Sequence, residues 1–398
     1  MRPPFAASST RCAGTTRTTG WPKASRHVLG SAAARSAAAM VGRHPADLLV
    51  SSGGRLVRVM TQGRQAVMAD VARLAGVSHM TVSRVLNKHP NVRVATRQRV
   101  LEAVRQLGYR PNAMARGLAG RRSRVVGVVS FNTILHGPAS TLLGIERAAR
   151  AAGYGISVAS VERIDSERVM AAIHALAEQS VDGVVIIAPQ AAAAAALRSL
   201  PSGMAAVAAE ADTGGEIPAI AVDQVAGARL AVEHLLRLGH RQVWHLSGPR
   251  NWIEAQRRIE GWRGTLEDAG LSAPRLMTGD WSAQSGYAAG LELAAQRGVS
   301  AVFAGNDQMA LGMLRAFHER GVRVPDDVSI VGFDDIPEAA FMFPPLTTVR
   351  QDFDEVGRRC IAALLGIIDG DPEGEDQPAP DLRIAPTLVV RHSTAPSR

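Results

Sequence analysis

Cysteine is nearly absent, with two residues in 398, Cys12 and Cys360, far apart and in no CxxC or Cys/His arrangement. That excludes a disulfide framework and a structural zinc site, and fits a reducing compartment such as the bacterial cytoplasm. No apolar run approaches the roughly eighteen residues that a membrane span needs, so no membrane partner is expected. The phosphate-cradling patterns GxGxxG and GxxxxGK[ST] are missing, and no serine-histidine pair or metal-ligand cluster offers catalytic chemistry. Neither an enzyme, nor a cofactor, nor a bound metal is expected. With 46% hydrophobic and 20% charged residues, the chain reads as a globular protein long enough for two or three domains.

Acid is scarce in one region only. Residues 1–59 carry nine basic side chains against one acidic, residues 60–120 carry ten against two, and residues 121–398 carry twenty-six against thirty-three. The net charge of +9 is therefore a basic first third joined to a mildly acidic remainder. This is the charge plan of a polyanion-binding head on a body with a different task. Residues 1–59 have the Arg-rich, acid-poor composition of a transit peptide, but their apolar runs are too small-sided for a secretory core. Two readings remain for this leader: a disordered basic tail, or upstream sequence ahead of a true start at Met60 or Met68. Neither gives it a fold.

From Met68 the pattern changes. MADVARLAGVS places Val71, Leu74 and Ala75 on one face of a short helix, with Ala72 small enough for a neighbouring helix to approach. Gly76 turns the chain and Ser78 is placed to cap a second helix, whose inner side is Val82, Val85 and Leu86. Two short helices about a glycine turn make a helix-turn-helix. Thr96 is the expected cap of a third helix, TRQRVLEAVRQLGY, with Val100, Ala103, Val104 and Leu107 inward and Gly108 at its end. The outer face of the second helix is then His79, Met80, Thr81, Ser83 and Arg84. Short hydroxyls can hold phosphates and Arg84 can pair bidentately with guanine in a major groove, although any small helical hairpin also has a polar outside.

Beyond Arg124, strand-like runs at 125–130, 155–160, 183–188, 219–222, 242–248, 301–305 and 328–333 alternate with helical runs. That alternation predicts parallel sheets covered on both faces. A turn at Gly239-His240 about halfway along favours two doubly wound lobes over one closed barrel. Ligands of such sheets bind beyond the carboxyl ends of the strands. There the sequence offers PRNWIEAQRRIEGW, then Asn306-Asp307-Gln308, then Phe333-Asp334-Asp335. Carboxylate, amide and guanidinium groups beside an indole suit a sugar, whose hydroxyls need paired polar partners and whose C–H face needs an aromatic.

The stretch VMADVARLAGVSHMTVSRVLNKHPNVRVATRQRVLEAVRQLGYRPNAMARGLAGRRS unites the helix-turn-helix, the third helix and the GYRPNAMARGLA extension. On these residues the chain resembles the lactose/galactose repressor family. GDWSAQSGY, AGNDQMALGMLRA, VSIVGFDD and PPLTTVRQDF carry the resemblance through the body to about residue 390, nearest to the lactose-responsive branch. The resemblance implies an all-α helix-turn-helix head plus an α/β body of two doubly wound parallel-sheet lobes of periplasmic-binding-protein type. It implies a transcriptional repressor that binds double-stranded operator DNA and is controlled by a small carbohydrate between the lobes, with a galactoside among the candidates. The plan that follows is a leader over 1–59, the DNA-binding domain over 60–110, a hinge helix and linker over 111–123, an effector-binding and dimerisation body over 124–390, and a tail over 391–398.

By the same resemblance His79, Met80 and Arg84 read base edges, Ser78, Thr81, Ser83 and Asn87 contact phosphates, and Tyr109 and Asn112 touch the backbone. Residues 112–119 match the family's hinge helix, ordered only in the dimer on DNA, whose Leu118 wedges into a minor-groove step. Physics agrees, since about eight residues interrupted by Gly117 are too few for an isolated helix. In the body, Arg258, Asn306 and Asp334 hold sugar hydroxyls, Trp281 stacks on the ring and Gln351 lies near the pocket. Each has a structural use besides: Arg258 as a surface helix charge, Trp281 as core filler, Asp334 as a turn former and Asn306 as a helix cap. Glu210 stands near a further hydroxyl-binding position. Phe131 and the His79-Met80 pair depart from the lactose-responsive pattern, which detaches this chain from that branch's sugar and operator. The closing VVRHSTAPSR lacks a leucine-heptad tail, so a homodimer is expected rather than a tetramer. A transporter's solute-binding protein would account for the body alone, but it needs an export signal and no DNA-binding head.

Overall fold

The computed structural model describes residues 66–86, 89–109, 122–131, 133–162, 165–190, 200, 203–211, 217–370 and 383–397, with the backbone of two strands further upstream. The chain divides into two compact units, Met1–Tyr109 and Arg110–Arg398. Asn87, Asn112, Leu118 and the whole of the expected hinge helix lie outside the described residues.

In the first unit, β1 (Leu49–Ser52) and β2 (Arg55–Arg58) pair antiparallel with Ser52 opposite Arg55. The leader thus contains two paired strands where no fold was expected. Two β-compatible runs on either side of Gly53-Gly54 are the hairpin signal, one that a charge count passes over. Three helices follow: α1 (Met68–Ala75), α2 (His79–Leu86) and α3 (Val94–Leu107). Gly76 takes the left-handed conformation at φ 63° to end α1, as the turn requires. The Ser78 hydroxyl accepts from the Thr81 amide at 3.2 Å and caps α2. Val71, Ala72, Ala75, Val82, Val85, Val100, Ala103 and Tyr109 form the core.

Three details differ from expectation. Leu74 is 50% exposed, because the close approach at Ala72 turns the buried stripe of α1 away from it. Leu107 is exposed in the last turn of α3, where Tyr109 folds back into the core instead, its amide donating to the Val104 carbonyl. Helix α3 starts at Val94 after Arg93, so Thr96 lies inside it and is not its cap.

In the second unit, one sheet runs β13-β7-β6-β5-β3-β4, all parallel. Its strands are β3 (Val125–Phe131), β4 (Gly155–Val161), β5 (Gly183–Ile187), β6 (Ala206–Ala209), β7 (Ala219–Val222) and β13 (Arg383–Ile384). Val126 and Val128 face one layer with Ile145 of α4 (His136–Ala151) and Val356, Cys360 and Leu364 of α10 (Phe353–Asp369). Val129 and Phe131, one step out of phase, face Ile173 and Leu176 of α5 (Ser166–Glu178). This is the alternation of a strand buried on both sides. Helices α4 and α10 cross with their backbones in contact: a Cβ on Gly357 would lie 2.1 Å from the Gly144 carbonyl carbon, so no side chain fits there.

The second sheet runs β14-β12-β11-β10-β8-β9. Its strands are β8 (Val243–Ser247), β9 (Met277–Thr278), β10 (Ala301–Ala304), β11 (Ser329–Asp334), β12 (Thr347–Arg350) and β14 (Thr387–Val389). Helices α6 (Gln224–Arg237) and α7 (Ile253–Asp268) bury Trp262, Phe303 and Phe333 on one face. Helices α8 (Ala283–Ala294) and α9 (Asp307–Glu319) bury Met309, Met313 and Phe317 on the other. Each such side chain, fully buried, contributes about 1.5–3 kcal/mol.

The lobe boundary is not at Gly239-His240, which only ends α6 within the second lobe. The chain instead passes between lobes three times, at Asp223, at residues 351–352 and at residues 385–386, so that α10 and β13 return to the first lobe. Both sheets point their carboxyl ends at these crossings. A strand that runs straight across, as β14 does after β13, therefore enters the second sheet against its direction and pairs antiparallel with β12. The residues after β14 are no loose tail. Ser393 is fully buried, its hydroxyl donating to Ile330 O and accepting from the Thr347 amide, and Arg391 pairs with Asp335.

Candidate functional site

Each unit carries its own candidate site. On the helix-turn-helix, His79, Met80 and Arg84 are exposed, Met80 by 64% of its surface, while Thr81 and Ser83 are half-buried beside them. The Ser78 and Thr81 hydroxyls bond each other at 2.9 Å, so the cap also fixes two hydroxyls at the end where α2 begins. Tyr109 is 9% exposed and packed in the core.

In the second unit a cleft lies at the carboxyl ends of the two sheets. His136 and Pro138 line it from one lobe, and Trp252, Glu254, Arg258, Trp281, Asn306, Asp334 and the crossing residue Gln351 complete it. All five body residues singled out from sequence meet here. Arg258 is not a surface charge: it is 3% exposed and lies flat on Phe333, its guanidinium carbon 3.7 Å from the ring centroid. Its Nε donates to Gln224 Oε1 at 2.8 Å and its Nη1 to the Gly305 carbonyl, with Asp334 Oδ1 at 3.8 Å from Nη2. The Gln224 amide in turn donates to Gln351 Oε1 at 2.8 Å, and Gln351 Nε2 donates to Asp334 Oδ1 at 2.8 Å. Arg258, Gln224, Gln351 and Asp334 thus form one closed ring of contacts that includes two of the interlobe crossings.

Asp334 ends β11 at φ 111° and Asp335 follows at φ 53°. Asp335 is turned away and held by Arg350 and Arg391, both at 2.6 Å. Asp307 braces the turn, accepting from the Ile336 amide at 2.9 Å and from the Thr348 hydroxyl at 2.6 Å. Asp334 is left facing the cleft. Burial raises its carboxyl above the usual range, while Arg258, His136 and the bond from Gln351 pull it back.

Asn306 is a helix cap, its Oδ1 accepting from the Met309 amide at 2.9 Å, yet its Nδ2 borders the cleft and donates to Trp281 O at 3.1 Å. Trp281, at φ 72°, is 5% exposed, and its indole N–H has no partner. A Cβ on Gly248 would lie 2.1 Å from that indole, so glycine there makes room for it. Phe131 packs tilted against Trp252, with centroids 6.0 Å apart, and Trp252 meets Trp281 edge-on at 5.8 Å. Trp252 and Glu254 lie within PRNWIEAQRRIEGW but carry no role predicted from the sequence. Their signal is position, immediately after the strand end of β8.

Six described non-glycine residues have positive φ, and two of them, Trp281 and Asp334, line this cleft. Such backbone costs about 1–3 kcal/mol per residue and clusters at functional sites. Among the described residues no group of three or more His, Cys, Asp or Glu could hold a metal ion. His245 lies in the core against Phe303, its ring desolvated and its pKa pushed down to about 3. It is no base for cleft chemistry. No helix of the described residues is long and apolar enough to cross a membrane.

Comparison with known proteins bears on both sites. Residues 67–112 match the lacI family of bacterial regulatory proteins, and residues 232–394 match a periplasmic binding protein-like domain. The chain is 35% identical over 333 residues to the lactose operon repressor of Escherichia coli K12, covering 83% of this chain and 91% of that protein. It is 32% identical to the ribose operon repressor of the same organism, over 82% of this chain and 99% of that one. Among solved structures it is similar to the lac repressor dimer bound to operator and the anti-inducer ONPF, with TM-score 0.76, 35% identity, and coverage of 83% and 100% of the two chains. A complex of the transcriptional regulator CelR with cellobiose matches at TM-score 0.59 and 30% identity, over 82% and 99%. The chain belongs to the lacI family of bacterial regulatory proteins: it is a transcriptional repressor, like the operon repressors it is similar to, and not an enzyme.

Proposed function

We propose that the chain represses carbohydrate-utilisation genes in the cytoplasm as a homodimer on operator DNA, and that a small sugar in the interlobe cleft sets its DNA affinity. His79, Met80 and Arg84 read base edges; Ser78, Thr81, Ser83 and Asn87 hold phosphates, with Tyr109 and Asn112 on the backbone and Leu118 as the hinge wedge. Arg258, Asn306 and Asp334 hold hydroxyls, Trp281 carries the ring, and Gln351 couples them to the crossings. Leu311, Phe341 and Phe343 are 45%, 87% and 94% exposed on one lobe, apolar surface of the kind a partner copy covers. A galactoside is one candidate effector.

The observation that carries this reading is the closed ring of Arg258, Gln224, Gln351 and Asp334. A ligand that accepts from Arg258 and donates to Asp334 must alter a ring that two lobe crossings share. It therefore distinguishes between lobe arrangements, which is what an effector needs in order to shift a population. The test is a gel shift with fragments from upstream of the chain's own operon, repeated over a salt series and then with sugars degraded by neighbouring genes. A specific, salt-sensitive complex that a sugar dissolves or strengthens is the expected result, and the direction distinguishes induction from co-repression. Failure to bind any such fragment more tightly than random DNA contradicts the reading.

A further inference from the structure

The cleft holds more acid than its cation balances. Glu210, directly after β6, is 4% exposed, and its carboxylate makes no close hydrogen bond, with the Val222 backbone the polar group nearest to supplying one. Its backbone sits at φ 54°, where a glycine or asparagine would be cheaper. Glu254, in the first turn of α7, lines the cleft from the opposite lobe, and Glu210 feels the charges of Glu254, Arg258 and Asp334. Arg258 is already committed to Gln224, Gly305 and Asp334 and covered by Phe333. Glu254 and Asp334 line the cleft, and Glu210 lies buried within reach of their charges, so three carboxyl groups share one engaged guanidinium. A neutral sugar brings hydroxyl donors to this end of the cleft and leaves its charge unbalanced. An ammonium brings donors and the missing charge together.

We infer that the effector is an amine-bearing carbohydrate, its ammonium lodged between Glu210 and Glu254 while Trp281, Asn306 and Asp334 take the ring and hydroxyls. This rests on the effector reading of the cleft and names the ligand class within it. Burial raises both carboxyls, Glu254 to about 7, with Arg258 opposing the shift; Asp334 and the buried Cys360 thiol are the other groups that interact with the pair. Burial holds protons on these carboxyls to higher pH than usual, and an incoming ammonium favours their charged forms. Amine affinity therefore rises as the pH rises from weakly acid to neutral.

The experiment is calorimetric titration of the full-length protein with glucose and galactose, their 2-amino and 6-amino deoxy forms, and the N-acetyl derivatives of those amines. An amino sugar should bind about tenfold or more tightly than both its parent and its N-acetyl form, with affinity rising towards neutral pH. Glu210→Gln and Glu254→Gln should each erase that preference; removing buried charge spares the fold, and the wild-type comparison needs no variant. Parent or N-acetyl sugars binding as tightly as the amines overturn the charge assignment and leave the effector reading standing. Binding by no member of the panel counts against both.

Discussion

Arg84 stands exposed on α2 with its long side chain directed away from the core that Val82 and Val85 fill. If it reads guanine, Arg84→Ala costs about 1–3 kcal/mol of specific binding and relaxes preference at one base pair. Equal losses on operator and random DNA would make it a phosphate contact instead. Glu254 gives a prediction about pH. Its folded-state carboxyl is raised from 4.5 to about 7, so the folded protein holds that proton more tightly than the unfolded chain. The contribution to stability is full below 4.5 and is lost as the pH rises through 7. Melting temperatures of the ligand-free protein across this window should fall with pH more steeply in the wild type than in Glu254→Gln. Parallel curves would show that the carboxyl titrates normally.

At the scale of elements, the account depends on the crossings. Gln351→Leu removes the bonds to Gln224 and Asp334 without touching Arg258's contacts with Gly305 and Phe333. Sugar binding to the free protein should weaken modestly, while the sugar's effect on the operator complex should weaken far more; equal losses in both assays would reduce Gln351 to a ligand contact. Ser393→Ala leaves the Thr347 amide and the Ile330 carbonyl short of a partner in the core and should cost about 1–3 kcal/mol in denaturant unfolding. The helix-turn-helix and the long strands were legible because their periods are strong. Runs such as AVAA in β6 or MT in β9 have too few residues for a period to show, and the single-residue crossing at Asp223 leaves no mark in composition. That is why the lobes read as consecutive halves although they interleave. Arg258, Trp281 and Asp334 were legible through the strand-end rule and the family resemblance. Trp252 and Glu254 were not assigned, because a residue in a turn or first helical turn shows its direction only once the turn is built.

For the whole molecule, the net positive charge is confined to the first 120 residues and the body is mildly acidic. Removing residues 1–59 deletes nine basic residues and one acidic, and should make nonspecific DNA binding weaker and less salt-dependent while operator preference is kept. A changed operator preference would show that the leader takes part in reading. The switch itself asks for about 5.5 kcal/mol of differential affinity if a sugar is to move the molecule nearly completely from one state to the other. Asp334 is where that energy is proposed to enter, so the most direct measurement is sugar titration of the operator complex in the wild type and in Asp334→Ala. The account predicts that the variant binds operator as tightly as the wild type and no longer responds to the sugar, because a site built for hydroxyls loses a partner that no other group replaces. A response of Asp334→Ala at wild-type sugar concentration would contradict it and place the effector outside this cleft.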